Sequence, residues 1–407
     1  MSEKITSKQM LNDLMAKHYA DAFEAKANGK PVIWATSIVP QEILEVFDVA
    51  VVYPENHAAA VGARRDAPRF IQEAEKEGYS VDICSYARLN IAYADILDSP
   101  ACNIPQPDLI ISGDNICCAV IKWYENLAKK FNIPMIMIDY PSGQEYLSQP
   151  ENIKYVYDQY LEAIKVLEKI TGQKFDYDKF TEVTRISNEN ANWWKKATDL
   201  LAHTPAPTNG FDLFNYMAPM VTLRGKKEGT ELFKLWYEEL SQAIEAGKGP
   251  WKDQEEKYRI IWDGIACWPH LGPTYKILKK YGVNMVTSTY PTSWHITYKV
   301  GDMMDMAREY SKLYVLRNFD STIEIFNMLA ETFNLDGILF HSNRSCKGMD
   351  FRQLEVARVM KEKYGLPSVF FDGDQTDPSV FSEAQYETRI QGLVEMMDER
   401  KERMKKG

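Results

Sequence analysis

One short pattern occurs twice, near opposite ends of the chain, and it restricts the possible folds more than any other feature. Residues 108–118 read DLIISGDNICC and residues 336–346 read DGILFHSNRSC. They align without a gap, Asp108 on Asp336, Ile110 on Ile338, Asn115 on Asn343 and Cys118 on Cys346. Each opens as a brief apolar run bounded by turn-prone polar residues, the pattern of a buried strand. Each then runs into a helix and a Pro-led apolar strand ending in Asp, IPMIMID (133–139) and LPSVFFD (366–372). A second pair precedes the first. PVIWATSIVP (31–40) matches RIIWDGIACWP (259–269) with one residue inserted, and each leads to a strand ending in Tyr-Pro, at Tyr53-Pro54 and Tyr290-Pro291. Two pairs in the same order indicate an internal duplication. Strands alternating with helices indicate parallel sheets. The expected fold is α/β: two similar doubly wound parallel-sheet halves with comparable loops facing one another.

The organisation follows from this. Residues 1–148 form the first α/β domain, 149–256 a helical domain, and 257–407 the second α/β domain with a C-terminal helix. A first helix over 8–28 turns Met10, Leu11, Leu14, Met15, Tyr19, Ala22 and Phe23 to one side, with Gly29 as its stop. VIWAT delivers Ser37 to a loop, and VAVVY (49–53) delivers Glu55 to the sheet's carboxyl edge, where such folds place ligands. SVDIC (80–84) reads as a third strand with Cys84 at its end. From Gln149 the period changes: Tyr157, Tyr160, Leu161, Ile164 and Leu167 recur at helical spacing, and this insertion is expected to cover part of the cleft between the halves.

Charge and composition exclude several functions. A formal charge of -10 without a basic cluster argues against nucleic acid. No apolar run reaches bilayer length and the amino-terminal stretch is not signal-like, so a cytoplasmic protein without a membrane partner is expected. Six cysteines in 407 residues are too few for a disulfide scaffold, and are free, metal-bound or catalytic.

Cys84, Cys117 and Cys346 each fall at or just past an expected strand end, on the rim where the halves meet. Such thiols beside helix N-termini meet backbone N–H groups that favour the thiolate, the form that binds soft metals. Three converging soft ligands leave a metal one open position. Cys118 and Cys267 are possible substitutes, and Cys102, in a Pro-rich loop, is the bystander. Glu55 is a candidate general base, with a plain surface carboxylate as the alternative. Ser37 equally suits a helix cap before Pro40. His57, His270, His295 and His341 are scattered, and Asp372-Gly373-Asp374 reads as either a metal site or a turn. Neither dinucleotide nor ATP binding has a motif here.

The segments YPENHAAAV (53–61), DICSYAR (82–88), NICCAVIKWYEN (115–126), GFDLFNYMA (210–218), HSNRSCK (341–347) and FDGDQTDP (371–378) carry a family likeness. Through them the chain resembles the 2-hydroxyacyl-CoA dehydratases of amino-acid-fermenting anaerobes, from first helix to last, and most of all their larger, α subunit. The resemblance implies a 4Fe-4S cluster held by Cys84, Cys117 and Cys346, its fourth iron open to water or substrate, with Ser37 beside that iron and Glu55 as the proton acceptor. It implies a smaller β subunit in a heterodimer and an ATP-dependent iron–sulfur activator. It also implies a reaction: an (R)-2-hydroxyacyl-CoA loses water through a ketyl radical to give the (E)-2-enoyl-CoA. Cys118 departs from the family, whose members commonly carry Asn there. The gapless repeat pairs Cys346 with Cys118, whereas the family motif selects Cys117. Two alternatives share the fold, a benzoyl-CoA-reductase-like subunit and a non-catalytic electron-relay subunit.

Overall fold

The computed structural model describes residues 5–141, 149–313 and 317–406. Two four-stranded sheets form its frame. In the first, β1 (Val32–Ala35), β2 (Ala50–Val52), β3 (Leu109–Gly113) and β4 (Met135–Ile138) lie in the order β2-β1-β3-β4. In the second, β5 (Tyr258–Asp263), β6 (Val283–Ser288), β7 (Gly337–Asn343) and β8 (Ser368–Gly373) lie in the order β6-β5-β7-β8. All pairings are parallel. The second sheet therefore repeats the first strand for strand, as the sequence duplication requires. The central strands are buried on both faces, which explains why they read as unbroken apolar runs rather than as alternations.

The duplicated aspartates do the same task twice. Asp108 accepts a hydrogen bond from the Val32 amide at 2.8 Å, and Asp336 accepts one from the Arg259 amide at 2.9 Å. Each carboxylate thus satisfies a donor at the start of the neighbouring central strand. Lys26 pairs with Asp108 at 2.6 Å and Lys401 with Asp336 at 3.1 Å. These ion pairs come from the first and last helices, Ser7–Ala27 and Glu383–Lys406, so each half is closed by a terminal helix at its amino edge.

The segment Ser80–Cys84 is a turn, not the strand expected from its alternation. β1 pairs directly with β3, leaving no place between them, and Val81 is 46 % exposed. Among the described residues the second half carries no strand between β6 and β7 either. Cys84 is instead the N-cap residue of the helix Ser85–Ile96. In the first helix Leu11 and Ala22 are buried as expected, but Phe23 is exposed.

Between the sheets come four long helices, Pro150–Thr171, Tyr177–Asp199, Phe211–Thr222 and Lys227–Glu245. The last three pack on each other through aromatic rings, Trp194 against Phe233 and Trp236, and Tyr216 stacked on Trp236 at 4.1 Å. Among the described residues no helix is long and apolar enough to cross a membrane. The two halves meet closely. A Cβ on Gly62 would lie 2.7 Å from the Thr376 methyl, and Arg65 donates to the Pro269 carbonyl at 3.1 Å.

Candidate active site

The carboxyl ends of both sheets deliver residues to one cavity of about 850 Å³, part of it open to solvent. Ser37 follows β1, Glu55 follows β2, Cys117 follows β3, Tyr290 follows β6 and Cys346 follows β7; all five line this cavity, with Cys84. This is where a doubly wound fold binds ligands, here twice over because two sheets face one space.

Glu55 sits in the first turn of the helix Pro54–Ala63, with Pro54 as the opening residue. Pro54 sets the backbone direction and the helix N-terminus favours an acid there. The Ser37 amide donates to Glu55 Oε2 at 2.5 Å and the Ser37 hydroxyl to Oε1 at 2.8 Å. The Tyr124 hydroxyl lies 3.5 Å from Oε2. These donors favour the carboxylate, but burial outweighs them and pushes the Glu55 pKa up to about 7. Ser37 is held in turn. The buried Arg224 donates to its carbonyl at 2.9 Å and to the Tyr310 hydroxyl at 2.7 Å, and Tyr310 donates to Glu42 at 2.8 Å. Ser37 is therefore no helix cap; its amide and hydroxyl are both committed to Glu55.

Cys84, Cys117 and Cys346 each stand at the N-cap of a helical segment. Backbone N–H groups approach all three sulfurs, as expected of helix starts, yet they do not prevail. Burial, reinforced by the neighbouring thiols, pushes Cys84 up to about 12 and Cys117 to about 11, and raises Cys346 well above the ordinary thiol range. In the absence of a metal these groups are thiols, so the expected free thiolate is corrected. A bound cation would take the place of the proton.

The same three cysteines also line a second groove on their other side, with Ile83, Ile91, Lys122 and Lys347. They form a partition between two spaces. Among the described residues no three His, Cys, Asp or Glu side chains close tightly enough to hold a single metal ion. All three donors are thiol sulfurs, the ligand type that soft metals and iron–sulfur groups take.

The other sequence candidates separate from this site. Cys118 is exposed and faces only the outer groove, Cys267 is buried against Gly373, and Cys102 lies elsewhere beside Tyr19. His57 is buried outside the cavity between Asn90 and the Cys102 carbonyl, and burial pushes its pKa down to about 4. His341 donates to the Ile265 carbonyl at 2.6 Å and stacks on Phe371; His270 faces the Pro378 carbonyl. The helical insertion supplies no residue to the cavity wall and acts instead from behind, through Arg224. Sequence reading missed Arg224, which only the fold brings to Ser37, and Tyr86 and Tyr290, which only the fold brings to the cavity wall. The Tyr-Pro repeat offered a signal for Tyr290.

Two facing α/β halves thus bring three half-buried thiols and a serine-bound carboxylate to one cavity wall. The chain belongs to the family described as 2-hydroxyglutaryl-CoA dehydratase, D-component, whose model matches residues 36–397. It is 48 % identical over 403 residues to the (R)-2-hydroxyisocaproyl-CoA dehydratase alpha subunit of Clostridioides difficile, covering 98 % of each chain. To the (R)-phenyllactyl-CoA dehydratase alpha subunit of Clostridium sporogenes it is 43 % identical over 396 residues, with 97 % of each chain covered. A benzoyl-CoA reductase subunit of Thauera aromatica is more distant, at 26 % over 415 residues, with 96 % of this chain and 94 % of that one covered.

Proposed function

We propose that this chain is the catalytic α subunit of an (R)-2-hydroxyacyl-CoA dehydratase, with a 4Fe-4S cluster held by Cys84, Cys117 and Cys346. The observation that carries the reading is the meeting of these thiols with the Ser37–Glu55 pair on one cavity. When bound, the cluster would supply Lewis-acid and one-electron chemistry at the thioester carbonyl.

The rest of the task falls to the chain. Dehydration breaks the α-carbon–oxygen bond and a β-carbon–hydrogen bond and releases water, with no net oxidation. The β-proton needs a base, and Glu55 has the geometry and a pKa near neutrality that suit one. Ser37 holds both carboxylate oxygens, and Arg224 holds Ser37, so the base is aimed before substrate arrives. The apolar walls, Ile38, Val120, Trp123, Leu313 and Met349 among them, exclude water from the reacting carbons. No Lys or Arg is among the described residues lining this cavity. A distal carboxylate on the acyl side chain would be buried there unpaired, so the site suits an apolar side chain. The relatives are alpha subunits by name, which supports a smaller β subunit as partner; the ATP-dependent activator and the anaerobic fermentative setting follow from the same reading.

The test is turnover under anaerobic conditions, with partner and activator present, on a panel of 2-hydroxyacyl-CoA thioesters. The expected result is enoyl-CoA without stoichiometric reductant, fastest for leucine- or phenylalanine-derived acyl groups and weak for 2-hydroxyglutaryl-CoA. Consumption of reductant at every turnover would instead make it a benzoyl-CoA-reductase-like enzyme.

A further inference from the structure

One buried polar cluster beside the thiols takes no part in the proposed dehydration. Asp374, 1 % exposed, lies just past β8. Its Oδ1 accepts from the Ser85 hydroxyl at 2.5 Å and from the amides of Thr376 and Asp377 at 2.9 and 3.0 Å, and its Oδ2 accepts from the Ser345 hydroxyl. The Ser85 amide donates to Ser345 Oγ at 3.0 Å. Ser85 follows Cys84 and Ser345 precedes Cys346, so one carboxylate ties together two cysteine loops that come from different halves of the chain.

The next residue points at sulfur. Gln375 is fully buried, and its Nε2 donates to Cys84 Sγ at 3.1 Å. It is the only side-chain donor directed at any of the three sulfurs among the described residues; the others are backbone amides. Its Oε1 is buried without a hydrogen-bond partner, an arrangement that costs stability. A neutral thiol gains little from an N–H donor. A metal-bound thiolate gains much more, since charge-assisted hydrogen bonds are about twice as strong as neutral ones.

We infer that Gln375 is a positioning residue that sets the reduction potential of the centre Cys84 helps to hold, with Asp374 clamping the Cys84 and Cys346 loops that present it. The inference rests on the reading of Cys84, Cys117 and Cys346 as cluster ligands. Reduction adds an electron and makes the ligating sulfur more negative. The amide bond to that sulfur then strengthens, so the reduced form is favoured and the potential rises. An external one-electron donor can charge such a site more easily.

The test uses the anaerobically purified full chain in its native assembly, compared with Gln375→Met, which keeps the length and removes the donor. Iron content should be unchanged, while the midpoint potential in an EPR-monitored titration moves to a more negative value. In parallel, wild-type protein labelled with 15N at glutamine side chains should show a 15N hyperfine coupling in the reduced centre. Asp374→Asn should release iron to a chelator on the order of 10-fold faster, through the slackened loops. An unchanged potential in iron-replete Gln375→Met would overturn the inference. If that variant fails to fold, absence of the 15N coupling in wild type overturns it alone. Wild-type protein that holds no iron would instead overturn the cluster reading beneath it.

Discussion

Glu55 is a carboxylate in a place that penalises its charge. Its folded pKa of about 7 lies above the ordinary 4.5, so the ionised form is disfavoured by folding. The cost is absent below pH 4.5, grows as pH rises towards 7, and is fully present above that value. Glu55→Gln escapes it while keeping an acceptor for the Ser37 amide. Thermal unfolding of the metal-free chain should therefore show the variant gaining on wild type from pH 5 to pH 8, and levelling beyond. A gap that stays constant with pH would mean the carboxyl is not the group that titrates. The same substitution should lower dehydration by about 10²–10⁴ and remove the limb of the pH–rate profile near neutrality. Arg224 belongs to this scale too. Removing it leaves the Ser37 carbonyl without its buried donor and takes the cation from Tyr310 and Glu42, so Arg224→Met should cost about 3–5 kcal/mol in denaturant unfolding. Sequence alone marked Ser37 and Glu55 as a strand-end serine and an acid after Tyr-Pro. It offered no sign of Arg224; Asp374 read only as part of a metal site or a turn, and Gln375 only as part of a family segment, because their contacts join distant parts of the chain.

At the level of elements, the buried parallel strands were legible because they are short apolar runs between turn residues, and the duplication supplied their order twice. The repeat also explains a detail with its own consequence. Asp108 and Asp336 each close a strand start in equivalent places, so Asp108→Ala and Asp336→Ala should destabilise by similar amounts, about 1–3 kcal/mol each. A large effect of one with none of the other, in paired urea titrations, would deny the equivalence. The one strand misread was Ser80–Cys84. Its V-D-I-C alternation imitates a half-buried strand, but the segment pairs with no strand of the sheet, and Val81 faces solvent. Cys84 reaches the site at the start of a helix instead. The thiol chemistry was likewise legible only in part, since helix starts promised thiolates and tertiary burial reversed the balance.

For the whole molecule, the proposed function requires Cys84 and Cys117 from one half and Cys346 from the other to hold a single cluster beside Glu55. The sequence left two adjacent candidates in the first half, Cys117 and Cys118. The fold turns Cys117 into the partition between the cavities and leaves Cys118 exposed on the outer groove. Iron analysis with EPR on anaerobically purified single variants tests this most directly. Cys117→Ala should strip or convert the 4Fe-4S cluster, as should Cys84→Ala and Cys346→Ala, while Cys118→Ala and Cys102→Ala retain it. An intact 4Fe-4S cluster in Cys117→Ala would contradict this assignment.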